Sequence, residues 1–454
     1  MEKELPKNWI ESKLDKVVTS KKGKKPKTLM DSEFKNSVPY LDIRAFEKNE
    51  IRRYADIPSS RIIKENQIGI VWDGARSGWV TKGKYGAVGS TIAILDPIGV
   101  NENYLLKFLE SKFDFLNTNT RGTGIPHVDP KILWDIDIPL PPLPEQKRIV
   151  AKLDKLFEQL DVINNSLEKI PVLLMNFRQQ VLTLAVTGKL TKSEVEKKEL
   201  GSLLIEVKYG TSKKSRPDVE GTPVLRIPNI QDGEIYDEDL KYTKLDKKEF
   251  EKVKLLPGDV LIIRSNGSVS LVGKSAIVRK KHENFSYAGY LIRLRCKNFL
   301  DPEFLNYSLQ SNFLRSQIVN TSRSTSGVNN INSSEIKNLK ILLPPIEDQK
   351  LIVKKVQELF SNVDGIQQKY NLLKNKIENL PQSILHKAFK GELVPQLEND
   401  GDARELLEEI DLQTKNIEKK VSTRRKAMKN FTNEYGVTNE KQNIAAETEK
   451  NYKE

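Results

Sequence analysis

The chain has 454 residues, room for about three domains at roughly 150 residues each, and carries 75 Lys and Arg against 62 Asp and Glu, a formal charge of +13. That surplus points to a polyanionic partner such as DNA or RNA, with plain solubility charge as the alternative. One cysteine (Cys296) and three dispersed histidines (His127, His282, His386) exclude a disulfide framework and a cysteine-based zinc site. The polar start MEKELPKNWI is unlike a signal peptide and no apolar run approaches the roughly 18–20 residues of a membrane span, so a cytoplasmic location is expected.

Residues 1–143 read as a globular segment of short strands and helices. STIAILD at 90–96 is β-branched and short, as strands are, and YLLKFLESKF at 104–113 has helical periodicity. Gly-rich polar loops, DGARSG at 73–78 and TRGTG at 120–124, lie between them. Lys21, Lys22, Lys24, Lys25, Arg44, Arg52, Arg53, Arg76 and Arg121 are candidates for a DNA face. Lys and Arg neutralise phosphates, and Arg makes bidentate contacts to bases. Any one of them alone reads more simply as solvated surface.

Residues 144–190 follow a proline run and carry apolar residues at alternating steps of four and three: Ile149, Leu153, Leu156, Leu160, Ile163, Leu167 and Ile170, continuing through Leu174, Phe177, Val181 and Leu184. This is the a/d seam of a coiled coil. Pro144 and Glu145 suit a first turn and Gly188 a helix stop, while Pro171 should kink or interrupt the helix.

A second globular segment, 191–346, contains the strand-like VLIIRSN at 260–266 and the helix-like FLNYSLQSNFLRSQI at 304–318. Its candidate DNA contacts are Lys213, Lys214, Arg216, Arg226, Arg264, Asn266, Lys274, Arg323 and Asn329. Residues 347–393 repeat the heptad seam with Ile352, Val356, Leu359, Val363, Ile366, Tyr370 and Leu373, then Ile377, Leu380 and Ile384, with Pro381 inside and Gly391 after it. The charged tail, 394–454, contains KKVSTRRKAMKN at 419–430. From about Asp411 it is aromatic-poor, and it reads as disordered or loosely helical.

The two halves are copies. IPLPPLPEQKRIVAKLDKLFEQLD at 138–161 aligns without a gap on ILLPPIEDQKLIVKKVQELFSNVD at 341–364, an offset of 203. Pro141, Pro142, Gln146, Lys147, Ile149, Val150, Lys152, Leu156, Phe157 and Asp161 all recur. The register extends downstream to LAVTGKL (184–190) against KAFKGEL (387–393), and upstream to TGIPHVDP (123–130) against SGVNNINS (326–333). Two matched amphipathic rods in one chain can bury their stripes on each other as an antiparallel pair, the alternative being a coiled coil with another chain. Some 40 residues at 1.5 Å make each rod roughly 60 Å long, a ruler between two diverged modules. The fold class is α+β with a pseudo-twofold internal repeat.

No reaction centre emerges. GSVSLVGKS at 267–275 misses the Walker pattern at Ser268. Glu145–Gln146–Lys147 and Asp348–Gln349–Lys350 mimic half a nuclease motif, but both open a helix, where an acid favours the dipole. No metal or catalytic residue is expected.

The sequences PLPPLPEQKRIVAKLDKLF and LLPPIEDQKLIVKKVQELF, each followed by a Gly-[Lys/Glu]-Leu helix end, resemble the two conserved regions of type I restriction–modification specificity subunits, and the resemblance runs from Trp9 to about Ile410. It implies two target-recognition domains (1–143 and 191–346) separated by two long antiparallel helices. Each domain would read one half of a bipartite, asymmetric double-stranded DNA target. It further implies docking of two modification (methyltransferase) subunits and of restriction (translocase/nuclease) subunits. S-adenosylmethionine, ATP and Mg would belong to those partners, and this chain would bind no cofactor. The competing readings are a recognition domain fused to an enzyme, against which the missing motifs argue, and a coiled-coil scaffold without DNA affinity, against which the basic loops argue.

Overall fold

In the computed structural model, which describes residues 4–122, 124–325 and 328–435, four strands of the first half form an antiparallel sheet: β1 (Val18–Lys22), β2 (Ile68–Val71), β3 (Val80–Lys82) and β4 (Ile92–Pro97), in spatial order β1–β4–β2–β3. The sheet is covered on both faces, and the period-2 alternation of side chains shows how. Along β4, Ala93 and Leu95 enter one core, with Trp9, Leu14, Tyr104, Phe108 and Leu153. Ile92 and Ile94 enter another, with Leu41, Phe46, Ile63 and Val88. Helix α1 (Glu102–Ser111) lies on the first face; the Asn101 side chain caps it, accepting from the Asn103 and Tyr104 amides. A short α2 (Phe113–Thr118) follows.

The first long helical segment is two helices, α3 (Leu143–Leu167) and α4 (Ile170–Val186). The break precedes Pro171, which falls in the first turn of α4, where its missing N–H costs nothing. The second sheet repeats the first: β5 (Leu204–Tyr209), β6 (Val260–Ile263), β7 (Ser275–Ile277) and β8 (Leu291–Cys296), in order β5–β8–β6–β7. It alternates likewise. Val260, Ile262, Ile292 and Leu294 face one core, and Leu261, Ile263 and Leu291 the other. The helix expected over 304–318 is divided into α5 (Pro302–Gln310) and α6 (Asn312–Thr321), because Ser311 takes extended backbone and caps α6.

Helix α7 (Ile346–Phe389) runs 44 residues through Pro381 without a break, so of the kink or interruption that an internal proline predicts, the interruption does not occur. Proline removes one ladder hydrogen bond there, while Ile377 and Leu385 on either side are buried and hold the segment helical. Of the two states expected for the tail, the described part is helical. A helix, α8, spans Ala403–Tyr435, and its buried Ala403, Leu406 and Ile410 anchor it, Ile410 sitting against Gly99.

The chain divides into two compact units, Met1–Asn164 with Asn375–Glu454, and Asn165–Lys374. They are therefore not the consecutive blocks that the sequence suggests. Each unit takes the beginning of one long helix and the end of the other. Ile149 and Leu153 of α3 share a core with Leu385, Ala388 and Phe389 of α7. Ile352 and Val356 of α7 share one with Val181, Leu182 and Ala185 of α4. Beginning beside end, in both units, is the antiparallel arrangement. Among the seam residues Ile149, Leu153, Leu160, Leu167, Ile352, Val356 and Val363 are buried, while Leu156, Leu359 and Tyr370 are partly so. Ile163 and Ile366 stand 43% and 48% exposed, so the heptad pattern continues where the packing does not.

The duplicated proline box has a structural explanation. Gln146 accepts from the Asn101 amide (2.9 Å) and donates to Pro141 O (2.8 Å). Gln349 accepts from the Asp301 amide (2.8 Å) and donates to Pro344 O (2.8 Å). Each glutamine ties its long helix to the cap of α1 or α5. The buried Glu145 accepts from Trp9 Nε1 (3.0 Å) and Gln396 Nε2 (3.0 Å), so it clasps segments from both ends of the chain. Arg148 adds a bidentate pair to the buried Asp400 (2.5 and 2.6 Å).

His282 is fully buried. Burial and the neighbouring Lys281 hold its protonation below the usual histidine range, against the pull of Asp237. A base with a depressed folded-state pKa leaves stability intact above the unfolded value near 6.5, and stability falls as pH drops below it, because only the unfolded chain then binds the proton. The urea midpoint of the second unit is expected to fall between pH 7.5 and 5.5, and His282→Phe should flatten that segment of the curve. An unchanged slope in the variant would remove His282 as its cause.

Candidate nucleic-acid interface

The topology of each sheet separates two ends. In the first, β1 and β2 run the same way and finish together at Lys22 and Val71, where β4 begins, the register being Lys22↔Ala93 and Val71↔Ile92. At the opposite end Val18 and Ile68 pair with Pro97 and Leu95, and the chain passes to Asn101 and its bond with Gln146 on α3. The long helix is thus attached at one end of the sheet, and the other end is left to loops. The second sheet matches: Tyr209 and Ile263 finish beside the start of β8, and Asp301–Gln349 lies at the opposite end.

The free ends are built alike. In the first unit the loop 72–79 leaves β2 and is joined through the bridge Asp73↔His127 to a hairpin in which Arg121 pairs with His127. In the second, Ser265–Asn266 pairs with Val328–Asn330, which pairs with Arg323–Thr325, a three-stranded ribbon. A side chain from the second helix of each helical pair braces the loop beneath. Asn117 donates to Ala75 O (3.1 Å) and Ser77 O (2.9 Å). Arg315 donates to Val272 O (2.5 Å) and Ser270 O (3.1 Å), and its burial pulls the guanidinium pKa down.

A cation–aromatic pair sits at corresponding positions with its members exchanged. Lys22 lies over Trp72, 6.0 Å from the ring centre, whereas Arg264 lies over Tyr209 at 4.6 Å. By strand register Lys22 corresponds to Tyr209 and Trp72 to Arg264.

Several sequence candidates gather at these ends. Lys21, Lys22, Lys24 and Lys25 are exposed where β1 finishes, and Arg121 is exposed on the hairpin. Arg76 on the loop pairs with Glu47 of the helix Ile43–Lys48, which also carries the exposed Arg44. Arg52 pairs with Asp42, and Arg53 lies over Tyr40. In the second unit Arg264, Asn266, Lys274 and Asn329 belong to the loop and ribbon, where Asn266 accepts from the Ser268 amide (2.8 Å) and Asn329 donates to Gly267 O (3.0 Å). Lys214 and Arg216 are exposed beyond β5. Lys213 is paired with Glu249 (2.5 Å) and Arg226 with Asp239 (3.1 Å). The Arg323 side chain lies outside the described residues. Exposed ion pairs are worth about 0–1 kcal/mol, so Arg76 and Lys213 can exchange their carboxylates for phosphates at little cost, whereas the Arg226 side chain is only 19% exposed.

Sequence reasoning missed Trp72, Asp73, His127, Tyr209, Asn117 and Arg315. Asp73 and His127 are 54 positions apart and meet only through strand pairing; their one sequence signal is the upstream extension of the repeat, which places His127 opposite Asn330.

The family model described as "Type I restriction modification DNA specificity domain" matches residues 6–172 and again 192–375. The EcoKI specificity subunit of Escherichia coli (strain K12) is 36% identical over 313 residues, 65% of this chain and 68% of that protein. The EcoBI specificity subunit of Escherichia coli is 28% identical over 443 residues, 89% and 92% respectively. In fold, the chain resembles the HsdS subunit from Thermoanaerobacter tengcongensis, with a TM-score of 0.58 at 20% identity over 86% of this chain and 99% of the other. With two matched copies of the domain, the chain belongs to the type I restriction–modification DNA specificity family.

Proposed function

We propose that each unit reads one half of a bipartite, asymmetric DNA target with the free end of its sheet, while the long helices set the spacing between the half-sites. The chain is a recognition component and not a catalytic one. The observation that carries this reading is the pair of matched sheets: both free ends present a braced loop, a ribbon and a cation–aromatic pair, yet differ in the polar groups offered. Equal architecture with unequal chemistry suits two different half-sites.

The modification subunits, two per chain, would dock on the helices. Leu173, Phe177 and Leu184 share one face of α4 and are exposed, as are Leu372 and Leu373 of α7, an apolar surface of the kind that a partner covers. S-adenosylmethionine, ATP and Mg would be supplied by the modification and restriction subunits. Among the described residues no helix is long and apolar enough to cross a membrane, and the proposed place of work is the cytoplasm, with the DNA.

The test is a methylome. Single-molecule sequencing of DNA from cells with and without this chain, co-expressed with its modification partner, should reveal a two-part adenine-methylated motif that disappears with the chain. A palindromic motif would refute the asymmetry. Methylation that does not change would refute the reading itself.

A further inference from the structure

The two free ends can be compared position by position, and the comparison assigns different hydrogen-bonding roles to one matched site. His127 and Asn330 correspond twice over: they share the repeat register of 203, and they pair with the residues two beyond the ends of β2 and β6, Asp73 and Ser265. In the first unit the His127 Nδ1 lies 2.7 Å from Asp73 Oδ1, and the other Asp73 oxygen lies 3.7 Å from Lys22 Nζ. A carboxylate only accepts, so in the tautomer that satisfies this contact Nδ1 carries the proton. In the neutral ring Nε2 is then an acceptor, and the side chain is 40% exposed. The ring packs against Gly122, whose φ of +99° suits glycine and where a Cβ would meet the Ile125 carbonyl oxygen at 2.8 Å and the ring at 3.1 Å. The contact with Gly122 therefore fixes where the ring edge points.

In the second unit the roles are reversed. Arg264 Nε donates to Asn330 Oδ1 (3.3 Å). A guanidinium only donates, so the oxygen of that amide faces Arg264, and its NH2 group faces away and has no acceptor among the described residues.

We infer that His127 and Asn330 are base-reading residues at equivalent places in the two half-sites. His127 accepts from an exocyclic amino group, and Asn330 donates to a ring nitrogen or carbonyl oxygen of a base. The major groove offers both kinds of group, at positions that depend on the base pair. The inference rests on the functional reading above and deepens it, giving a chemical reason for the two halves of the target to differ.

The test uses the full chain in complex with its modification partner. His127→Asn keeps a donor toward Asp73 but, being shorter, leaves no acceptor at the position of Nε2; Asn330→Ala removes the outward donor. The methylome of His127→Asn should become degenerate at one position of the first half and keep the second half, and Asn330→Ala should do the reverse. Duplexes then carry a base analogue at the position so identified, one lacking the exocyclic amino group for the first half and 7-deazapurine or a thiocarbonyl base for the second. Each analogue should weaken wild-type binding about tenfold and leave the matching variant unaffected, the signature of a direct contact in a double-mutant cycle.

A variant that keeps the wild-type motif overturns the inference. If its salt dependence also drops by about one phosphate contact, the residue serves the backbone instead. Loss of both halves together with a lowered melting temperature would assign a purely structural role. A wild-type complex with no two-part motif would instead refute the reading on which the inference rests, and the inference with it.

Discussion

Asp259→Ala is expected to cost the second unit about 3–5 kcal/mol, the range for stripping the partner from a buried charge. Asp259 is 1% exposed and serves three groups. It accepts from the Leu256 amide (2.8 Å) and from Arg295 Nε and Nη2 (2.7 and 2.8 Å), and it stands 4.0 Å from Nε of Arg293. Arg293 is 2% exposed in the middle of β8, where it also donates to Lys254 O and Glu206 and lies 5.8 Å from the ring centre of Tyr287. Without Asp259 the sheet holds a buried cation with half its counter-charge. Arg293→Met should cost less, about 1–2 kcal/mol, because both acids keep a second cation, Glu206 with Lys208 (2.9 Å) and Asp259 with Arg295. Burial pushes the Glu206 carboxyl up, yet the hydrogen bonds from Lys208 and Arg293 outweigh it and hold the group below the usual range. Denaturant titration followed by hydrogen exchange in β6 and β8 measures both variants, and the reverse ranking would contradict this account of the network.

Phe389→Ala should destabilise the first unit by a similar amount, about 3–5 kcal/mol, from lost transfer energy and the cavity left behind. The ring meets Tyr104 and Phe108 edge-on, at centroid distances of 5.4 and 5.2 Å, where aromatic pairs gain beyond area alone. The effect should appear as faster exchange in α1 and β4, far away in sequence, with the second unit unaffected. Ile163→Ala, at a seam position of similar apolar character, should cost under about 1 kcal/mol, because its side chain already stands in solvent. Equal losses for the two would mean that the heptad pattern, rather than burial, measures the packing.

The contrast between Phe389 and Ile163 shows what the sequence could convey. The proline boxes, the repeat register and the helix ends were legible because they depend on local spacing: Gln146 and Gln349 occupy the same turn for the same backbone reason. The strands over 92–97 and 260–263 were legible because β-branched runs are local too. Pairings between distant residues were not. Nothing at position 148 announces Asp400, and nothing at position 127 announces Asp73, since those contacts are set by how strands and helix ends come together. Heptad periodicity tells which face of a helix is apolar, without telling what covers it. The break of 304–318 at Ser311 turns on one cap, which periodicity averages over.

The way each unit borrows the far end of the other's helix also governs how the protein can be made. The first module emerges from the ribosome with its sheet and α1 complete, but the surface that takes Leu385, Ala388, Phe389 and Ile410 stays bare until residues 165–374 have been added. At about 5–20 residues per second that is a wait on the order of tens of seconds, with Tyr104, Phe108 and Leu153 open to solvent. Residues 385–410 are thus the part that finishes the first module, and a nascent chain cut short before them is damaged at a site made hundreds of residues earlier.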